Sequence, residues 1–405
     1  MSASTVPALL CARGLRAFAD GLISLVLPLY LIGLGLTPFQ VGVIATGTLL
    51  GSGALTLLVG VYGQRYRHRS ALLAAAVLMV LTGIAFATFD GFGPLLLIAV
   101  IGTLNPSSGD VSVFLPLEQA VLAQSVSDRK RTSIFARYSL VGALLGALGA
   151  LAAGLPALIA QRWQLDLQST YRAMFLVYAL LGLAAGAIYR SLPKERSVPT
   201  EKVAAPLHRS RRIVYTLAAL FSLDAFAGGF LVQSLLALWL FQRFDLSIAV
   251  AGSIFFWTGV LSALSYIVAS RIAERIGLVN TMVFTHLPSS ILLILTPFAP
   301  TLAWVIVLLL ARSALSQMDV PTRNSYVMAI VDDDERVAAA SITSVPRSLA
   351  SALSPLCAGW LLGLSSFGWP LIVAGVLKIL YDLVLLAMFR TVRPPEEMAV
   401  RPRSS

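Results

Sequence analysis

Six carboxylates lie inside long apolar runs of this chain: Asp20, Asp110, Glu118, Asp224, Asp319 and Asp382. A charge in hydrocarbon costs roughly 2.5–3.5 kcal/mol on insertion scales, so a run keeps one only for a partner, a wet cavity or a function. Arg16 stands four residues before Asp20, and Arg323 stands four after Asp319. Each couple shares a helical face, which predicts a local ion pair. Asp224 has no basic residue four positions away on either side. A carboxylate of that kind can take up and release a proton. Arg137 and Arg347 are the expected cross-helix partners of Glu118 and Asp319. Lys378 and Asp382, four apart, are expected to satisfy each other. Asp110 stands between Pro106 and Pro116, beside Asn105, Ser107, Ser108 and Gly109. Proline and glycine there can open the backbone and free carbonyls for a ligand, which lipid tolerates only where a helix lines a cavity or is buried in protein.

Other chemistries find no support in the residues. Cys11 and Cys357 are the only thiols and there are three histidines, with no metal-ligand spacing among them, so no metal and no cofactor are expected. The chain has no P-loop, no G-x-S-x-G and no H-E-x-x-H, which argues against an ATP-driven pump and against an enzyme. Asp332-Asp333-Asp334-Glu335 is expected to be a solvated acidic cap. Trp163, Tyr171, Trp239 and Phe241 fall near helix ends, as interfacial anchors do.

The elements that carry these residues follow from composition. Of 405 residues, 58% are hydrophobic and 12% charged, about half the charged share of a soluble domain. A bilayer core needs about 20 apolar residues per helix. Runs of that kind lie near 8–34, 38–62, 70–89, 93–124, 133–160 and 171–190, and again near 213–241, 247–270, 279–298, 301–330, 338–363 and 368–389. The prediction is an all-α integral membrane fold of twelve spans. The first seven residues lack a basic n-region and a cleavage site, so the first run is expected to be a mature helix. The net charge of +11 resides mostly in loops on one side of the spans. Arg65 to Arg69, Arg129 to Arg131, the bases from Arg190 to Arg212, Arg271, Arg275, Arg336 and the last arginines share it. Arg162, Arg172 and Arg243 fall on the other side. That asymmetry places both termini in the cytoplasm, in the cytoplasmic (inner) membrane, and makes the charge a topology signal rather than a nucleic-acid footprint. Residues 1–190 and 213–390 are the expected six-helix bundles. Residues 191–212, with Pro193, Pro199 and Pro206, are a cytoplasmic linker, and 391–405 a cytoplasmic tail.

The halves repeat. Gly42 precedes Arg65 by the same distance that Gly252 precedes Arg275; Asp20 has a counterpart in Asp224, Pro116 in Pro321 and Arg131 in Arg336. After the second run the chain reads Gly60-Val-Tyr-Gly63-Gln64-Arg65-Tyr-Arg67-His68-Arg69; after the eighth it reads Arg271-Ile-Ala-Glu274-Arg275-Ile-Gly277. Over essentially its whole length the chain resembles the major facilitator superfamily, whose loop motif after helices 2 and 8 is G-x-x-x-D-R-x-G-R-[RK]. Gln64 replaces the acidic residue of the first copy, while Glu274, Arg275 and Gly277 keep the second closer. The resemblance implies gating loops at Gly60, Gln64, Arg65, Glu274, Arg275 and Gly277, and a central cavity lined by helices 1, 4, 7 and 10. It also implies alternating access between two bundles. Gly142, Gly146 and Gly149 in helix 5 suit tight packing, and they resemble, without its proline, the glycine-rich helix 5 of proton-linked exporters.

The expected function is secondary active transport of a small molecule with protons as the coupling ion, in the direction of efflux, by a monomer in the lipid bilayer without nucleic acid. An uptake permease for a sugar, organic acid or other nutrient is the alternative, and a non-transporting membrane receptor is a third. The arginines lean toward an anionic or polar substrate.

Overall fold

A computed structural model describes residues 5–62, 68–107, 112–125, 128–193, 210–331, 335–390 and 392. Gln64, Arg65, Asp110 and most of the linker and tail lie outside the described residues, as do the side chain of Glu274 and the surroundings of Gly60.

The described residues form helices and no strand. In chain order these are α1 (Thr5–Gly33), α2 (Pro38–Tyr62), α3 (His68–Thr88), α4 (Phe92–Ile101), α5 (Phe114–Ser125), α6 (Asp128–Ala152), α7 (Leu155–Trp163), α8 (Leu167–Arg190), α9 (Arg211–Gly229), α10 (Gln233–Phe244), α11 (Ile248–Ile276), α12 (Leu278–Leu295), α13 (Leu302–Leu315), α14 (Asp319–Ile330), α15 (Arg336–Leu364) and α16 (Trp369–Phe389). Among the described residues nine helices are long and apolar enough to cross a membrane, and α4 and α13 are shorter apolar helices. Large apolar side chains such as Leu58, Val77, Leu97, Leu180, Phe284 and Trp304 are exposed. An outer surface of that kind suits lipid and not water.

Four of the runs read as single spans are interrupted, and the residues at the breaks give the reason. Between α4 and α5 the chain reads Gly102-Thr-Leu-Asn-Pro106 before the polar stretch ends. The groups freed there are taken up by neighbours: Thr103 N–H donates to Thr82 Oγ1 at 3.3 Å and Tyr178 Oη donates to the Thr103 carbonyl at 3.0 Å. The Pro106 carbonyl accepts from Ser234 N–H at 3.0 Å. Such re-satisfaction is what non-helical backbone needs at membrane depth. The other breaks fall at Ala153-Gly154 ahead of Pro156, at Phe230-Leu231-Val232, and at Ser316-Gln317-Met318. The breaks in the fourth and tenth runs occupy matching places in the two repeats.

The chain forms two compact units. One comprises residues 1–200, 232–259 and 355–366; the other comprises 201–231, 260–354 and 367–405. In the first, α1 packs on α6 and α8, and α3 on α8. The α1–α6 crossing depends on glycine. A Cβ on Gly21 would lie 2.0 Å from the Gly146 carbonyl oxygen, and one on Gly149 would lie 2.0 Å from that of Phe18. The small residues of the fifth run are therefore used for close backbone approach. In the second unit α12 packs on α16, α13 and α14, and α16 packs on α9. Val214, Leu217, Phe221, Met282, Tyr326, Tyr381 and Leu385 form its apolar core.

Two local expectations are corrected here. Trp239 is buried and donates its indole N–H to the Ser366 carbonyl at 3.1 Å, so it is a core residue and not an interfacial anchor. Glu335 is not a solvated cap: it is buried and accepts the Ser210 backbone N–H at 3.1 Å, ahead of α9.

Candidate functional site

Each unit carries its own buried polar network. In the first, the guanidinium of Arg16 (α1) pairs with Glu118 (α5) through Nη2 and Oε2. Its Nε donates to Tyr189 Oη at 3.0 Å, and its Nη1 to Ser112 Oγ at 3.4 Å. Glu118 is 0% exposed and receives three side chains on two oxygens: Arg16, Tyr138 (α6), and Tyr189 (α8), whose hydroxyl donates to Oε1 at 2.5 Å. The Arg16 guanidinium lies 4.1 Å from the centroid of the Phe114 ring. A buried charge in lipid persists only when paired and hydrogen-bonded in this way.

This arrangement overturns two sequence expectations. Arg16 pairs across to α5 and not along its own helix to Asp20. Asp20 is buried and makes no hydrogen bond or ion pair among the described residues. Arg137 is exposed; the neighbouring Tyr138 reaches Glu118 in its place.

The second network joins four helices. Asp224 (α9) is held on both oxygens: Lys378 Nζ (α16) donates to Oδ1 at 2.7 Å and Arg323 Nη1 (α14) to Oδ2 at 3.1 Å. The carboxylate that has no partner on its own helix thus has two from others. Arg323 Nη1 also lies 3.3 Å from Asp319 Oδ2, so the local pair expected from their spacing is present. Lys378 and Asp382 do not satisfy each other. Lys378 turns to Asp224, and Asp382, fully buried, is held by His286 (α12), whose Nδ1 lies 3.0 and 3.1 Å from its two oxygens. On the far side of the ring, Nε2 is 3.3 Å from Lys378 Nζ and 3.7 Å from Asp224 Oδ1.

Arg347 (α15) is half-buried and makes no hydrogen bond or ion pair among the described residues, although its charge acts on Asp224, Asp319 and Arg323. It therefore does not reach Asp319 as expected. Arg275 is exposed near the end of α11, and Gly277 follows at φ +88°, the left-handed region that favours glycine, between α11 and α12. No three His, Cys, Asp or Glu side chains among the described residues converge as metal ligands.

His286 is the member that spacing rules pass over. Its signal is the buried polar stripe of α12, Thr281, Thr285, His286, Ser289 and Ser290, inside an otherwise apolar helix. Tyr138 and Tyr189 left less trace, because tyrosine in an apolar run is ordinary.

Apolar helices exposed on their outer faces, broken spans in matching places and internal charge networks define a multi-pass membrane protein of the kind that moves small molecules. The sequence pattern of the Major Facilitator Superfamily matches residues 9–240 and again residues 217–405. The chain belongs to that superfamily. An uncharacterized membrane protein of Saccharomyces cerevisiae is 27% identical over 411 residues, 93% of this chain and 92% of its own. Among solved structures, the nucleoside transporter NupG superposes with a TM-score of 0.73 at 12% identity, covering 95% of this chain and 99% of its own. The human organic anion transporter MFSD10 gives 0.66 at 18% identity, covering 94% and 98%. The xylose transporter XylE from E. coli gives 0.71 at 14% identity, covering 97% and 99%. The fold and family are those of secondary transporters of small molecules and not of enzymes.

Proposed function

We propose that the chain is a proton-coupled exporter of a small anionic or polar molecule, working as a monomer by alternating access of its two six-helix repeats, residues 1–190 and 213–390. The observation that carries this reading is Asp224, a buried carboxylate held at once by Lys378 and Arg323 from two other helices. A carboxylate between two cations can change partner as helices shift, and a proton or an anion arriving at the network competes for the same groups. Asp20, buried and unpaired among the described residues, is the acid–base group of the first repeat. Arg347, half-buried beside the second network without an ion pair, is the anion contact. An organic anion transporter, human MFSD10, is among the proteins that share this fold, which supports an anionic substrate.

The test is an accumulation assay over a panel of organic anions, nucleosides and sugars. It uses cells making the wild type or Asp224→Asn, with and without a protonophore. Lower accumulation of a compound, abolished both by the substitution and by the protonophore, supports proton-linked export. Raised accumulation replaces export with uptake, and a protonophore-insensitive effect removes the proton.

A further inference from the structure

The hydrogen-bond partners of His286 assign its tautomer. A lysine ammonium carries donors and no acceptor. The Lys378 Nζ at 3.3 Å from Nε2 therefore donates, and Nε2 presents its lone pair. The other nitrogen, Nδ1, lies between both oxygens of Asp382. A lone pair there would face a carboxylate, so Nδ1 carries the hydrogen. The ring is neutral, protonated on Nδ1, and clamped from both sides. Asp224 faces it from α9, and Lys378, Asp382 and the Tyr381 ring edge (centroids 6.0 Å apart) from α16. Through Asp224 the ring is linked to Arg323 of α14, which also pairs with Asp319, and to the charge of Arg347 on α15; one turn along α12, Ser289 donates to the Arg312 carbonyl of α13 at 3.4 Å.

From this geometry we infer that His286 is the proton acceptor of the second repeat, and that its protonation transfers Asp224 from Lys378 to His286. The inference rests on the proton-coupled reading above and moves the proton from the carboxylates to an imidazole on a different helix. The step balances simply. A proton from water adds to Nε2; Nδ1–H stays on Asp382; no other group gains or loses a proton. The new Nε2–H then points at an ammonium 3.3 Å away, two donors facing each other with like charge. The acceptor within reach is Asp224 Oδ1, 3.7 Å from Nε2 and now occupied by Lys378 at 2.7 Å. Lys378 leaves, Asp224 keeps Arg323 on Oδ2, and a link between α9 and α16 becomes a link between α9 and α12. The helix whose partner changes is α9, which leads directly into the break at Phe230-Leu231-Val232.

The experiment reads the imidazole itself. The full chain, purified into lipid nanodiscs with nitrogen-15 histidine, has three histidines, His68, His208 and His286. His286→Gln identifies the third set of signals by its loss. At the alkaline end His286 is expected as the Nδ1–H tautomer, the minor form for a free imidazole. On acidification the signal of the unprotonated Nε2 is expected to disappear while Nδ1 stays protonated. Lys378→Gln removes the ammonium that holds the Nε2 lone pair, and an Nε2–H species is then expected beside the Nδ1–H one. A neutral Nε2–H tautomer in the wild type, or an Nε2 that stays unprotonated on acidification, overturns the inference. Because no transport is measured, the two readings fail separately. Protonophore-sensitive export with a fixed His286 removes this inference alone. The tautomer change with protonophore-insensitive export keeps the partner exchange and removes proton coupling.

Discussion

Glu118 receives Arg16, Tyr138 and Tyr189 on two buried oxygens, and no water need enter to satisfy them. Removing its charge leaves the Arg16 guanidinium buried without a counter-ion. Breaking such a pair from one side costs about 3–5 kcal/mol. Glu118→Gln is therefore expected to lower the melting temperature of the purified protein sharply. The double replacement Arg16→Met with Glu118→Met is expected to cost less than the sum of the single changes, a non-additivity that a thermal-shift double-mutant cycle measures. Arg347 predicts the opposite pattern. It holds no ion pair among the described residues, so Arg347→Gln should leave melting within about 0.5 kcal/mol of wild type while lowering anion transport severalfold. Equal losses in both assays would make it a structural residue. The expectation that Arg16 belongs to Asp20 and Lys378 to Asp382 failed for one reason: spacing along a helix names neighbours on that helix, and in both cases a more closely aimed partner came from another.

At the scale of elements, the α1–α6 crossing and the start of α8 show how local sequence decides packing. A valine at Gly149 would place carbon against the Phe18 carbonyl. Overpacking of this kind costs about 1–3 kcal/mol, and Gly149→Val is expected to lower the melting temperature accordingly, whereas the same change at Gly363, where a Cβ meets nothing, should not. Asp166, outside the spans, caps α8 by accepting the Ser169 N–H at 2.7 Å and the Ser169 hydroxyl at 2.8 Å. These hydrogen bonds hold its carboxyl below the usual aspartate range. A lowered value means stabilisation that is full above the ordinary carboxylate pKa and lost as pH falls through the lowered one. The protection factors of the Ser169 and Thr170 amides, exchange rates corrected for the intrinsic pH dependence, should therefore fall in acid, and Asp166→Ala should remove that acid dependence. Broken spans were only half legible. Proline and glycine marked the fourth run, but the break at Phe230-Leu231-Val232 carries no such residue beyond the preceding Gly228-Gly229 pair.

At the scale of the molecule, the two-fold repeat and the asymmetry of basic residues give a topology that labelling can test. In a chain with Cys11 and Cys357 replaced by serine, a cysteine at Ser197 should react with a membrane-impermeant maleimide only after the cytoplasmic side is opened. One at Gln161 should react from outside. The reverse result would invert the orientation and with it the direction assigned to transport.

The amino-acid order alone was enough to establish a polytopic helical membrane protein of two repeats, because apolar length and loop charge are additive properties of a chain read in windows. It also identified most of the charged residues that lipid would not tolerate singly. Their pairing was beyond its reach. Asp224 meets Lys378 and Arg323, and His286 meets Asp382, across separations in sequence that no period encodes. Which buried charges meet depends on how far each helix is rotated and how deep each residue sits, and packing against neighbouring helices sets both.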